Sequence, residues 1–493
     1  MSNNKSNFNQ ALWLGISSVS SMLVSIVSAA ILSRYFDKTE YGTYKQIIFV
    51  YTTLLTIFQA GLPSVFSYFL PKYPREAGKY IVNKINRILF GLGFLLSVTI
   101  FLTSGIVADF LNNPELERGL KLFSPFPFFT LPTLGLEGIY VVNKNTRFVA
   151  IYNTITRLLM LLCIVLPVVF IKNSYETAVL GWGLASIFAF VIAMCYKTRP
   201  YKDIEQAEEI PHLMKKVLSY TLPIMGTSCV MLFYNSINQL VISRYFGVES
   251  FAEFSNGFMP LPFIAIIINP IRIMLIPMVS KAHTEGSLEE AKRFLNTSIK
   301  EIALLIVPMV AFCFAFAKPI MVFLYGEQYA NSYIFFMIAL TFNYCEIFPL
   351  QVILNGLGRT KELFIFDLVY TLLLLGINIL LIKLNLSSPV VVAIVFNVIQ
   401  ILLRYITPYI YLVAKEKFHP IYGSVFKTVL LITLHAIIIV VISYLASKFI
   451  KGLPVVFELA ISGILYYLIL IGTGRFFGFD YLKSFKRLIP NKK

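Results

Sequence analysis

Ile31-Leu32-Ser33-Arg34-Tyr35-Phe36 and Val241-Ile242-Ser243-Arg244-Tyr245-Phe246 share the core Ser-Arg-Tyr-Phe, 210 residues apart. Each copy closes a long apolar stretch. An acid, an aromatic, a small residue and a second aromatic follow: Glu40, Tyr41, Gly42 and Tyr44 in one copy, and Glu249 or Ser250, Phe251, Ala252 and Phe254 in the other. Four matching residues are weak evidence in a biased sequence, so the test is whether the offset persists. It does, with small drift: Leu295-Asn296-Thr297-Ser298-Ile299 answers Val82-Asn83-Lys84-Ile85, and Arg359-Thr360-Lys361 answers Asn145-Thr146-Arg147. The chain reads as two divergent copies of one unit, and an internal repeat constrains a fold more than any single motif.

Composition narrows the setting. Of 493 residues, 57% are hydrophobic and 14% charged, so most of the chain needs a bilayer as its solvent. A helix crossing ~30 Å of hydrocarbon needs about 20 apolar residues and satisfies its own backbone. The apolar runs have that length, which excludes a barrel of alternating ~10-residue strands. Fourteen spans are expected, near 11–35, 44–70, 85–108, 119–142, 148–171, 178–197, 217–246, 254–280, 296–317, 332–356, 363–383, 388–414, 424–447 and 454–474. Spans 1 and 7 open the two repeats. Six spans separate those starts, so both copies cross in the same sense and are related by an axis along the membrane normal.

The expected fold is an all-α polytopic membrane protein of two parallel six-helix repeats plus two C-terminal helices. Residues 1–197 form the first lobe, 198–216 a cytoplasmic linker, 217–414 the second lobe, 415–474 the appended helices and 475–493 a basic tail. Ser28-Ala29-Ala30 resembles a signal-peptide cleavage site, with Lys5 upstream. The repeat argues against cleavage, because span 7, the counterpart of span 1, sits mid-chain.

Lys and Arg set the orientation. With the N-terminus cytoplasmic, the inner loops hold Lys72, Arg75, Lys79, Lys84, Lys144, Arg147, Lys197, Arg199, Lys202, Lys215, Lys216, Lys281, Lys292, Arg293, Arg359, Lys361, Lys415 and Lys417. The outer loops hold far fewer, so both termini are expected in the cytoplasm. The same asymmetry absorbs most of the net charge of +17. No folded domain presents that charge to nucleic acid, and anionic headgroups are its expected partner. No outer loop has room for a soluble catalytic domain. Cys163, Cys195, Cys229, Cys313 and Cys345 all fall within spans without paired spacing, so neither a disulfide framework nor a metal site is expected. No cofactor loop and no catalytic constellation stands out, and the chain does not read as an enzyme.

Ionisable residues at membrane depth are expensive and normally face a cavity or a partner. Arg34 and Arg244 lie near the outer ends of spans 1 and 7, where they either snorkel to headgroups or serve an outer gate. Arg157 in span 5, Arg272 in span 8 and Arg404 in span 12 are deeper and are candidates for lining a cavity. Pro270 and Pro277 flank Arg272 and loosen its helix. Its alternatives are substrate contact and pairing with a carboxylate. The acids in spans are Glu137, Glu346, Asp367 and Glu458, with Glu137 and Asp367 close to the inner face. Glu346 and Asp367 are candidates for proton or ion coupling, and a salt bridge is the other reading of Glu346. Several deep arginines against one clearly deep acid make a cationic cavity, suited to an anion. Tyr152, Asn153, Thr154 and Thr156 in span 5 and Tyr234, Asn235, Ser236, Asn238 and Gln239 in span 7 are suited either to sugar hydroxyls or to helix–helix hydrogen bonds.

Two six-span repeats with a terminal pair, Arg34 followed by Glu40-Tyr41-Gly42-Thr43-Tyr44, and Leu324-Tyr325-Gly326-Glu327-Gln328-Tyr329 between spans 9 and 10 together resemble the polysaccharide flippases. These are the Wzx-like branch of the multidrug/oligosaccharidyl-lipid/polysaccharide (MOP) superfamily. The resemblance implies a V-shaped, MATE-like bundle pair in the bacterial inner membrane. It implies a lipid-linked oligosaccharide, carried on undecaprenyl diphosphate, moved from the inner to the outer leaflet. It also implies a lipid-tail groove on spans 13 and 14, diphosphate contact by Arg272 through its place in span 8, and polysaccharide polymerase machinery as a possible partner. Guanidinium forks engage phosphate bidentately, which agrees with the arginines. A small-molecule antiporter of the same fold and a membrane enzyme polymerising or ligating lipid-linked sugars are the competing readings.

Overall fold

The structure is a computed structural model that describes residues 2–59, 61–205, 208–259, 261–285, 287–450 and 452–488. Residues 206 and 207 of the expected linker, Lys451, and 489–493 of the expected basic tail lie outside the described residues. Every regular element among the described residues is helical. By contact the chain divides into two units, Met1–Ala252 and Glu253–Lys493.

The first unit contains α1 (Ser2–Tyr35), α2 (Lys38–Phe58), α3 (Pro63–Phe69), α4 (Arg75–Phe110), α5 (Pro114–Phe123), α6 (Pro127–Thr130), α7 (Leu136–Val142), α8 (Thr146–Phe170), α9 (Tyr175–Lys197) and most of α10 (Leu213–Gly257). The first copy of the repeated string ends α1. Asp37 then caps α2, its carboxylate accepting the Glu40 N–H at 2.7 Å. The second copy ends at a kink, because Gly247 takes φ 84°, ψ 172°, a conformation that glycine reaches without steric cost. The helix that carries the second copy therefore ends where span 7 is expected to end, a further helical stretch runs from the kink to Gly257, and α11 begins at Pro262.

The two copies meet inside this unit. Gln46 on α2, 0% exposed, donates to Ser243 Oγ at 2.7 Å and accepts from Asn113 Nδ2 at 2.6 Å. Phe49 packs on Phe251 with ring centroids 5.9 Å apart. Gly42 allows the close approach, since a Cβ there would lie 2.4 Å from the Val248 carbonyl oxygen. Phe66, Ile81, Ile85, Leu89 and Ile139 form a fully buried core between α3, α4 and α7.

The second unit contains the remainder of α10, then α11 (Pro262–Thr284), α12 (Glu289–Ala315), α13 (Ala317–Tyr325), α14 (Ser332–Cys345), α15 (Leu350–Gly356), α16 (Thr360–Lys383), α17 (Pro389–Ile401), α18 (Thr407–Ala414), α19 (Gly423–Ser447), α20 (Val455–Gly474) and α21 (Tyr481–Leu488). The appended helices pack on its core: α19 lies along α12, and Tyr466 of α20 donates to the Pro308 carbonyl at 3.1 Å. His435 on α19 joins α20 to the start of α21. Thr473 spends its proton on the Ile469 carbonyl, so His435 Nε2 donates to Thr473 Oγ1 at 2.9 Å and Nδ1 accepts from Tyr481 at 2.8 Å. Tyr481 lies beyond the last span, and burial pushes its phenol up, keeping it a donor.

Among the described residues, eleven helices are long and apolar enough to cross a bilayer, or twelve if the bent pair α14–α15 is one span. The expected count of fourteen is not reached by that measure. The two remaining positions hold shorter apolar helices, Ser20–Tyr35 and Pro127–Val142. A 3-10 turn at Leu131–Thr133 with left-handed Gly135 interrupts the second of these. Lys197 also departs from expectation. The sequence places it in an inner loop, but it is 1% exposed and bound by three acceptors, so it leaves the loop charge count.

Candidate anion site

The second unit gathers Arg272, Glu346, Arg404 and Asp367 through two helix irregularities. Arg272 lies mid-way along α11 with Pro270 and Pro277 inside the same helix. Its Nη2 donates to Glu346 Oε2 at 2.7 Å, the side chains being 38% and 15% exposed. Glu346 closes α14. Pro349 then stops the helix, having no N–H to continue the ladder, and the chain turns by 47° into α15. This turn puts Gln351 in the first turn of α15, where its Oε1 accepts from Arg404 Nη1 at 3.3 Å.

Arg404 lies in a π-helical turn, Leu402–Ile406, closed by the Thr407 N–H on the Leu402 carbonyl. Pro408 accounts for it: with no N–H at 408, the Arg404 carbonyl loses its helical donor, and a widened turn accommodates the ring. Such turns favour functional positions because they re-aim side chains. Asp367 on α16 is within electrostatic reach of Arg404. Tyr405, 8% exposed, feels the charges of Glu346, Arg404 and Arg272 together.

Donors outnumber acceptors in this cluster. Arg272 Nε, Arg404 Nε and the Tyr405 hydroxyl are all buried without a hydrogen-bond partner. Three unsatisfied donors in one place are uncommon in a folded interior and need an explanation. Around two guanidinium groups, the group that would satisfy them is an anion with several oxygens.

The other site candidates lie in the first unit. Arg157 is exposed on α8, its Nη1 3.8 Å from Met160 Sδ and its charge within reach of Tyr51 and Tyr152. Arg34 is exposed in the last turn of α1, where a cation complements the helix dipole. Arg244 is held more tightly: it donates to the Phe110 carbonyl at the end of α4 and lies 4.5 Å from the Phe110 ring, while Asn112 Nδ2 donates to its carbonyl at 2.9 Å. That is a C-terminal cap supplied by another helix.

Sequence reasoning missed Tyr405 and Gln351. Their signals were present, since Tyr405 lies between Arg404 and Pro408, and Gln351 follows Pro349. A separate apolar cleft of about 570 Å³ opens between α11, α12, α20 and α21, lined by Phe263, Ile267, Leu304, Met309, Tyr467 and Leu482. Span 14 contributes to it as α20, whereas α19 does not line it.

The family model described as polysaccharide biosynthesis protein matches residues 8–283, more than half of the chain. This chain belongs to the polysaccharide biosynthesis protein family. A second model, MatE, matches residues 223–381 of this family member. It is 22% identical over 328 residues to the succinoglycan biosynthesis transport protein ExoT of Rhizobium meliloti (strain 1021), covering 65% of this chain and 63% of that protein. The match thus spans less than two thirds of that relative. In fold, the family member resembles the lipid II flippase MurJ in an inward closed conformation, with a TM-score of 0.67 at 14% identity over 95% of this chain and 99% of that one. It also resembles an inward-facing multidrug resistance MATE family transporter of the MOP superfamily, with a TM-score of 0.58 at 14% identity over 83% and 99%. The fold is that of the MOP superfamily.

Proposed function

We propose that the protein is a flippase that moves undecaprenyl-diphosphate-linked oligosaccharide repeat units from the inner to the outer leaflet of a bacterial cytoplasmic membrane. It works by alternating access, serves surface polysaccharide biosynthesis, and keeps both termini in the cytoplasm. Residues 1–197 and 217–414 are its two lobes. The observation that carries the reading is the cluster of Arg272, Arg404 and Tyr405, whose unpartnered buried donors suit a diphosphate. The diphosphate is a strongly charged group that every such lipid carries. The succinoglycan biosynthesis transport protein among the relatives and the family match support a polysaccharide-related substrate.

The apolar cleft beside α20 supplies the complementary half of the reading, a wall for the prenyl tail. Arg157 is a further contact for the anionic part of the substrate, and Arg34 and Arg244 serve at the outer ends of their helices. Anionic headgroups meet the basic loops, and polysaccharide polymerase machinery receives the product. The reading is transport and not catalysis, because the cluster offers donors to an anion but no nucleophile poised by a base.

The test is deletion of the protein in its native cell, with a membrane-impermeant glycan label applied to intact and opened cells. Lipid-linked oligosaccharide labelled only after opening is the expected result. Restoring Arg272→Gln or Arg404→Gln should leave that accumulation in place, whereas the wild type should clear it. If lipid-linked units still reach the outer leaflet in the deletion strain but stay unpolymerised, a membrane enzyme replaces the flippase. The MATE resemblance favours one second reading, a small-molecule antiporter. Loss of drug efflux with intact surface polysaccharide would select it.

A further inference from the structure

The Arg272–Glu346 pair is made through one nitrogen and one oxygen, Nη2 to Oε2 at 2.7 Å, while Arg272 Nε is buried with no acceptor. A carboxylate paired with arginine frequently takes the guanidinium edge-on through two parallel hydrogen bonds. Arg404 is less satisfied still, with a neutral amide oxygen at 3.3 Å and an unpartnered Nε. Tyr405, more than nine-tenths buried, has its hydroxyl unpartnered under the influence of all three charged side chains. One carboxylate therefore stands where the donors of two guanidinium groups and a phenol await oxygens.

We propose that Glu346 is a resident counter-anion, holding Arg272 while the site is empty and yielding it to a phosphate group of the substrate. This inference rests on the diphosphate reading above and adds how that site is kept closed to weaker anions. A phosphate carries enough oxygens to take Arg272 Nε and Nη2 together and to reach Arg404 or Tyr405, which Glu346 cannot do. Two anions on one guanidinium repel strongly at the effective dielectric of a protein interior, so the carboxylate withdraws as the phosphate enters. The place for such a movement is built in. Glu346 is the last residue before the Ile347-Phe348-Pro349 turn, where the helical ladder lapses and the chain bends by 47°. Displacing Glu346 thereby couples occupancy of the site to the α14–α15 bend. An anion with one or two oxygens gains no more from Arg272 than Glu346 already provides, so the resident carboxylate also sets a threshold for selectivity.

The test uses the full-length protein in nanodiscs of neutral lipid, with undecaprenyl diphosphate and, in a separate arm, inorganic pyrophosphate as probes. Affinity is read for the wild type, Glu346→Gln, Glu346→Ala, Arg272→Gln and Arg404→Gln. Both Glu346 variants should bind either probe about five-fold or more tightly than wild type, the range of an ordinary coupling between sites. Both arginine variants should bind more weakly. The glutamine keeps an oxygen for Arg272, so that variant preserves the packing, and the alanine variant checks that the effect follows charge. If neither Glu346 variant binds more tightly while both arginine variants bind more weakly, Glu346 is a fixed structural partner and the inference falls with the diphosphate reading intact. If the arginine variants bind as the wild type does, the diphosphate reading itself falls. Tightening with the prenyl probe alone would overturn the inference, because it would reflect the lipid tail and not phosphate chemistry.

Discussion

Replacing Lys197 by methionine should destabilise the first unit by about 2 kcal/mol, a figure that follows from what its ammonium holds. Lys197 ends α9 and donates to the carbonyls of Pro132 at 2.6 Å and Leu134 at 2.7 Å and to Asn86 Oδ1 at 3.1 Å. Three N–H groups meet three acceptors, and the Phe66 ring lies 5.1 Å from the same nitrogen. The two carbonyls flank the break between the Leu131–Thr133 turn and α7, where the helical ladder stops. Methionine matches the chain length but donates nothing. It orphans one buried and two part-buried acceptors at about 1–3 kcal/mol each and loses about 1 kcal/mol of cation–π attraction. Against that stands relief from burying an ammonium, worth several kcal/mol. The smaller end of the difference, about 2 kcal/mol, corresponds to a fall of ~4–8 °C for a unit of this size. The assay is thermal unfolding of the purified protein in detergent at a fixed scan rate, since unfolding of such a protein is irreversible. Exposed Lys202→Met is the control and should not move the midpoint. A Lys197→Met midpoint equal to or above wild type would refute the reasoning, because the carbonyls would then need no ammonium.

Three further changes have defined outcomes. Gln46→Ala strands the buried Ser243 and Asn113 groups and should cost about 1–3 kcal/mol, read as a lower midpoint in the same thermal assay. Gly42→Leu forces α2 away from Val248 and should reduce folded yield by size-exclusion chromatography more than Gly91→Leu, where a Cβ meets nothing within 4 Å. Tyr481→Phe removes the donor to His435 and should speed tryptic cleavage at exposed Lys483 while leaving the thermal midpoint within about 2 °C.

The anchors of the repeat predicted more than helix positions. Ser33-Arg34-Tyr35-Phe36 and its second copy mark helix ends, as read, and the structure adds that the copies touch through Gln46, Ser243 and Gly42. For Arg244 the sequence offers headgroup snorkelling or an outer gate, and the structure adds a capping hydrogen bond to the Phe110 carbonyl. Span 4 is short because a proline-rich break interrupts a run that reads as apolar. Span 10 is two helices because Pro349 stops the first. The cavity candidates were legible as costly charges, but not as a cluster: Tyr405 and Gln351 carry no formal charge, and Lys197 looked like any loop lysine.

What the sequence determined by itself was the membrane class, the repeat and most helix positions, because a spanning helix satisfies its backbone within one run of residues and is therefore a local property. What only the tertiary structure decided was which polar groups meet. Arg272 and Glu346 are 74 residues apart, and Lys197 reaches carbonyls 65 and 63 residues away. A sequence states the cost of burying a charge, but its partner comes from another helix, and helix packing places that partner through contacts distributed over the whole unit.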